Sequence, residues 1–175
     1  MAKQYLQRTW ASVKLVSGKS SIHGDGVFAK EKIMHGERLM EFGGDLISKK
    51  QASSGNYRSR SVWIVSPDRY LALPNTDTKE SLDEHLNHSC DANAWLSDEV
   101  TLSAKRDIQV REEITLDQGT WNFEDSAYTD NKEPCSCRTE NCRKVLTEND
   151  WQIPGVQEKY RGHFHPVIQK MITSG

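Results

Sequence analysis

Polar and apolar positions alternate along this chain in short runs, without long helical stripes. Residues 12–16, 26–29, 38–42, 62–65, 70–73, 101–104 and 114–116 carry β-branched, aliphatic and aromatic side chains between Gly, Asn, Asp and Pro punctuation. That is the pattern of short strands joined by turns. Ser81-Leu-Asp-Glu84 has the spacing of a capping box and predicts a short helix before Asn87. Beyond residue 147 the pattern changes. Thr147-Glu-Asn-Asp150 reads as a helix start, Pro154-Gly155 as a break, and 156–160 and 166–171 as two short helical pieces. There is no internal repeat, low-complexity tract or long Pro- or Gly-rich linker.

The chain has 175 residues, about one domain long. At this length roughly 70% of the unfolded surface is buried on folding, so the core needs neither disulfides nor an oligomer. Hydrophobic residues make up 35% and charged residues 27%, and no run approaches the roughly 20 apolar residues of a membrane helix. No membrane association is expected. Lys3, Gln4, Gln7, Arg8 and Lys14 interrupt the first sixteen residues, unlike the apolar core of a secretory signal. The expected location is intracellular and cytoplasmic. Lys plus Arg total 23 against 25 Asp plus Glu, for a net charge of −2, which does not favour direct nucleic-acid binding. Acidic residues gather at Asp77, Glu80, Asp83, Glu84, Asp91, Asp98 and Glu99, with Lys79 the sole basic residue between them. This is read as a solvated acidic face, the alternative being a groove for a cationic peptide.

Cys135, Cys137 and Cys142 form a C-x-C-x4-C run, and Cys90 stands alone 45 positions upstream of it. Three thiols within eight residues are hard to explain as packing. Cysteines at i and i+2 are poorly placed to bridge each other, yet a tight turn can aim both at one metal, and structural Zn²⁺ takes four ligands in a tetrahedron. Cys90 is the candidate fourth ligand. Such a site would pin the C-terminal segment onto the middle of the chain, and its binding energy would become folding energy. The alternative is four reduced thiols or two disulfides.

Two further stretches, Ser20-Ser-Ile-His-Gly-Asp-Gly-Val-Phe-Ala29 and Leu86-Asn-His-Ser-Cys-Asp-Ala-Asn93, join Cys90 into a set. With Gly36-Glu37, the Glu41-Phe-Gly-Gly44 turn, Glu112-Glu-Ile-Thr-Leu-Asp117 and the cysteine run, their order resembles the SET domain of protein-lysine methyltransferases. The form is the compact bacterial type with a post-SET zinc segment. The resemblance covers about residues 13–146. It divides the chain into a SET domain (13–130), a post-SET zinc segment (131–146) and a helical tail (147–175).

The resemblance implies a mainly β, β-clip-like fold with a pseudoknot, short helices and a small helical tail. It also implies S-adenosylmethionine as cofactor, structural zinc on Cys90, Cys135, Cys137 and Cys142, and a lysine-containing protein or peptide as substrate. His23, Gly24, Asp25, Gly26, Asn87, His88 and Leu146 are then the cofactor-binding candidates. Glycines at 24 and 26 would let main chain approach a ligand closely, although alone the pair reads as a plain turn. No G-x-G-x-x-G follows a strand and opens a helix, so a nicotinamide or flavin enzyme has no anchor here. His85-x-x-His88 lacks the third ligand of a metal pair, and His163 and His165 are expected at the surface.

In this family a lysine amine meets the cofactor through a narrow channel, and a tyrosine usually ends the E-E-L-T-x-D-Y element. Here the element ends on Gln118. Its amide accepts a hydrogen bond but cannot ionise and offers no aromatic wall. Phe42 stands where many members have a second tyrosine, and Leu116 replaces a channel Phe or Tyr. Gln118, Phe42 and Leu116 are therefore the candidate catalytic positions of a weakened or altered methyltransferase. The alternative is a catalytically silent module that binds the cofactor, a lysine-bearing partner, or both. Tyr57, Trp121, Tyr128 and Trp151 are candidates for the absent channel aromatic, against ordinary packing. Ala92 replaces the usual proline of N-H-S-C-x-P-N, and Arg138 and Lys144 replace glycines of the cysteine segment, which puts turn geometry there in question.

Overall fold

A computed structural model describes residues 3–123 and 133–174. In chain order its first strands are β1 (Trp10–Ala11), β2 (Leu15–Lys19), β3 (Asp25–Ala29), β4 (Arg38–Glu41) and β5 (Asp45–Ser48), followed by helix α1 (Lys49–Ala52). β6 (Trp63–Ser66), β7 (Arg69–Ala72), β8 (Asn87–His88), β9 (Ala94–Leu96), β10 (Thr101–Ala104) and β11 (Glu113–Leu116) come next. β12 (Glu133–Pro134) and β13 (Val145–Leu146) precede α2 (Pro154–Lys159) and α3 (Pro166–Ser174). The sheets are ordered β1-β4-β10-β9, β2-β3-β11-β8, β5-β7-β6 and β12-β13. One pairing is parallel: β8 lies along β11 with Thr115 opposite Asn87 and Leu116 opposite His88.

The β5-β7-β6 sheet has apolar residues on both faces because it separates two cores. Along β6 and β7, Trp63 and Leu71 point into the main core, while Ile64, Tyr70 and Ala72 point into a second core. Successive side chains of a strand face opposite ways, so the run Val62-Trp-Ile-Val65 serves both layers. The second core is closed by Val156, Tyr160, Phe164 and Ile168 from the tail. Near the start of the chain, the N-terminal segment crosses Gly43, where a Cβ would come within 2.5 Å of the Arg8 main chain. Gly44 N–H reaches Leu6 O at 2.8 Å.

Every run expected to form a strand contributes to one. The strand expected at 12–16 begins later, at Leu15, because Ser12 to Leu15 closes a turn, with Leu15 N–H on Ser12 O at 3.0 Å. Residues 82–85 form a single 3₁₀ turn in place of a boxed helix, since the Ser81 hydroxyl turns to Asp83 and makes no cap. A capping box does form at Ser48 and Gln51, at the start of α1. Pro154 opens α2 and does not break it, consistent with proline at a first helical position, where no N–H is needed. Tyr128 and the boundary drawn between 130 and 131 lie outside the described residues.

The two histidines of Gly162-His-Phe-His-Pro166 are not surface groups. His163 stacks on Trp95 with ring centroids 3.4 Å apart, and its Nδ1 lies 2.8 Å from Leu96 O. His165 is fully buried, and its Nδ1 accepts the Val167 N–H at 3.3 Å across the first turn of α3. Burial pushes His165 down to about 4, so the fold holds this ring neutral. The unfolded chain takes up the proton near pH 6.5. The contribution to stability is therefore complete above pH 6.5 and lost as pH falls toward 4. His165→Asn keeps an acceptor for Val167. Urea melts across pH 4–7 should show its acid loss of stability smaller than that of the unsubstituted chain by up to about 3 kcal/mol; parallel profiles would contradict this.

Candidate active site and metal centre

The parallel pair β8–β11 sets the geometry of the site, because it places Asn87 and His88 beside Thr115, Leu116 and the turn that follows. The Asn87 amide donates to His23 O and Asp25 O, both at 3.0 Å, and to Glu113 Oε1 at 2.8 Å. The glycine loop is thus fastened to the N-H-S-C strand by one buried side chain. Gly26 permits this: a Cβ there would overlap the Glu113 carboxylate, which Ser20 Oγ holds at 2.8 Å. Asp25 points outward to Lys19, 2.8 Å away.

A cavity of about 370 Å³ opens beside this junction, within the size range of small-molecule sites. His23, Asn87, His88 and Leu146 line it, as do Phe42, Leu116 and Gln118. Gly24, Asp25 and Gly26 do not line it; their contribution is the main chain that orients Asn87. Two aromatic walls are added by Trp63 and Trp121. Phe42 stacks on Trp63 at 3.7 Å between centroids, and Trp63 meets Trp121 at 5.3 Å. Trp121 was one of four candidates in the sequence. Trp63 carried no signal beyond its place in a strand. Tyr57 and Trp151 instead pack at the edge of the second core.

The acidic stretch is not an open groove. Asp77 pairs with Arg8, Glu84 with Arg58, Glu80 with His85, Asp91 with Lys159 and Glu99 with Lys3. Asp98 caps the amides of Val100 and Thr101 at 2.8 Å, and Asp83 takes the Ser81 hydroxyl. All seven carboxylates have partners within the chain, and the face is less solvated than the sequence implies. Asp83 and Glu84 still reach the cavity wall. Burial raises the Asp83 carboxyl above its ordinary range, against the lowering effect of Ser81.

Four ligand atoms, from His88, Cys90, Cys135 and Cys137, lie within 4.8 Å of one another. Cys90 and Cys135 sulfurs are 3.8 Å apart, so residues 45 positions distant in sequence do converge. Cys142 sits beside this group, its sulfur 3.9 Å from Cys135 O. Nδ1 of His88 accepts the Gln118 N–H at 3.0 Å, and burial holds the ring neutral, pushed down to about 4. A neutral ring accepting at Nδ1 carries its proton on Nε2, the atom 3.3 Å from Cys90 Sγ. His88 Nε2 and Cys142 Sγ thus both stand beside the Cys90–Cys135 pair. Arg143 N–H donates to Cys90 Sγ at 3.3 Å and Lys144 N–H to Cys142 Sγ at 3.4 Å. Amides aimed at sulfur suit thiolates, and the donor set fits zinc.

Arg143 ties the cysteine segment to the rest of the site. Its guanidinium grips the fully buried Asp117 carboxylate through two bonds of 2.8 and 2.6 Å, and Nε reaches Asp150 at 2.8 Å. Arg138 and Lys144 occupy left-handed backbone at φ 57° and 66°. The turns that would suit glycine are therefore kept, with side chains in a conformation that costs about 1 kcal/mol or more per residue.

Sequence comparison assigns the class. Residues 24–119 match the SET domain family, and the chain belongs to it. Histone-lysine N-methyltransferase TRX1 of Oryza sativa subsp. japonica is 33% identical over 172 residues, which is 90% of this chain and 16% of that protein. The probable histone-lysine N-methyltransferase set-23 of Caenorhabditis briggsae is 28% identical over 149 residues, covering 76% of this chain and 60% of the relative. The chain thus spans 60% or less of the length of these relatives. A solved apo ctPRC2 with mutations in Ezh2 shares the fold at a TM-score of 0.50 and 23% identity, over 63% of this chain and 15% of that one.

Arg138→Gly and Lys144→Gly should each relieve backbone strain in the cysteine segment. Thermal or urea melts of the double variant should show a gain of about 1 kcal/mol, net of the greater freedom of glycine in the unfolded chain. A loss of stability would show that these side chains have a role of their own.

Proposed function

We propose that this chain is an S-adenosylmethionine-dependent protein-lysine N-methyltransferase of altered efficiency, with a structural zinc ion held by Cys90, Cys135, Cys137 and Cys142. The observation that carries this reading is a single cavity. In it the Asn87-His88 strand and Leu146 meet the walls formed by Phe42, Leu116, Gln118, Trp63 and Trp121. Bound S-adenosylmethionine supplies an electrophilic methyl group on a sulfonium sulfur.

The remaining work falls to the chain. A lysine amine has a pKa of about 10.4 and must lose a proton and its water shell before it can attack. Apolar walls of Phe42, Trp63, Trp121 and Leu116 exclude water. Gln118 presents an amide oxygen to accept a hydrogen bond from the amine and so orient its lone pair. It cannot stabilise charge as a tyrosine hydroxyl does at this position in the family. Leu116 leaves room beside the amine. The substrate of this reading is a lysine-bearing protein or peptide.

Gln118→Tyr should raise methyl transfer from labelled cofactor to lysine-rich proteins by about tenfold or more with little change in cofactor affinity. No gain on a substrate that the unsubstituted chain already binds would oppose the role given to Gln118. Cofactor binding without turnover in both forms would identify a silent module instead. For the metal, Cys142→Ser should abolish zinc content. His88→Gln should retain the ion at about 10- to 100-fold lower affinity, measured by chelator competition. The reverse outcome would make His88 the ligand.

A further inference from the structure

The loop that follows Cys90 is held by the C-terminal tail through its main chain. Lys159 Nζ donates to Cys90 O at 3.0 Å and reaches Asp91 Oδ1 at 3.3 Å. The next residue, Tyr160, is fully buried, and its hydroxyl accepts the Ala92 N–H at 3.2 Å. Ala92 is itself 2% exposed and packs in the same core as Tyr160. An N–H in that position has no access to water. Leaving it without an acceptor would impose the desolvation penalty of a buried donor. Lys105 Nζ lies 4.9 Å from the centroid of the Tyr160 ring, and the hydroxyl also interacts with the Asp117 carboxylate. One phenol therefore touches the loop after N-H-S-C.

The geometry points to Tyr160 as a positioning residue, whose hydroxyl fixes the Asn87–Ala92 segment from the tail by satisfying the Ala92 amide. The phenol contacts neither substrate nor reacting atoms; it acts through the loop. The bond exists because residue 92 has an N–H. A proline at that position has no donor and needs no acceptor, so the hydroxyl and the residue at 92 are coupled.

Tyr160→Phe removes the oxygen and keeps the ring, which separates the hydroxyl from core packing. Hydrogen–deuterium exchange is read over residues 87–93 and, as an internal reference, over β4 and β10. The expected result is exchange about tenfold faster over 87–93, with the reference strands unchanged. Adding Ala92→Pro to Tyr160→Phe should return exchange in the flanking loop amides to that of the unsubstituted chain. Ala92→Pro alone, which sets a ring carbon against the Tyr160 hydroxyl 3.2 Å from the residue 92 nitrogen, should accelerate them. Unchanged loop exchange in Tyr160→Phe overturns the proposal, as does uniform acceleration through the whole chain or failure of the proline to restore protection.

A second readout rests on the proposed cofactor site. Calorimetric titration with S-adenosylhomocysteine should give a dissociation constant raised about 3- to 10-fold in Tyr160→Phe and restored in the double variant. If the unsubstituted chain fails to bind this ligand, the cofactor reading falls, while the exchange experiment still decides the role of Tyr160.

Discussion

A carboxylate with no exposure to water governs this molecule. Asp117 follows strand β11, accepts the Gly119 N–H at 2.9 Å, and takes both terminal nitrogens of Arg143. A buried charge is tolerated only with its counter-charge and its hydrogen bonds in place; removing one partner of such a pair typically costs about 3–5 kcal/mol. Meeting that requirement pulls the cysteine segment against the end of β11, and Arg143 brings Asp150 with it. The turn bearing Gln118, the sulfur cluster and the start of the tail are thereby drawn to one place. Burial lowers the basicity of Arg143, and the bonds to Asp117 more than reverse this, so the guanidinium remains charged.

Much of the architecture was legible because alternation in strands is a local signal. Residues 101–104 and 114–116 read correctly from their own side chains. β8 and β13 did not, because two-residue strands owe their existence to a distant partner: Asn87 and His88 are strand only beside Thr115 and Leu116. The same limit applied to the tail. His163 and His165 look like surface residues in a polar turn, and only the packing of Trp95 and Thr120 against them makes them interior. The capping spacing at Ser81 misled because a serine hydroxyl chooses among nearby partners, and here it donates to the Asp83 carboxylate and caps no amide.

Of the site, the positions that resemble family motifs were found where motif order placed them, and their convergence on one cavity was not readable from spacing alone. Asn87 is instructive. Its side chain is spent on His23 O, Asp25 O and Glu113, so it ties the glycine loop to the N-H-S-C strand. Trp63 stayed hidden because a tryptophan in a strand carries no chemical signature until its neighbours are known; stacked on Phe42, it becomes a wall. In the cysteine cluster, residues 45 positions apart in sequence converge, and His88 joins them from the strand that precedes Cys90.

The grip of Lys159 and Tyr160 on Cys90 O and Ala92 N–H also bears on how the chain is made. A ribosome delivers residues in order, and domains fold as their sequence emerges. The strands up to β11 can pair while synthesis continues, yet the segment from Asn87 to Ala92 lacks its final supports until some seventy further residues have followed it out, by the separations of 69 and 68 positions. The support of this loop thus arrives long after the loop itself, and a chain stalled before Tyr160 would carry a formed β body beside an unsupported Cys90–Ala92 segment.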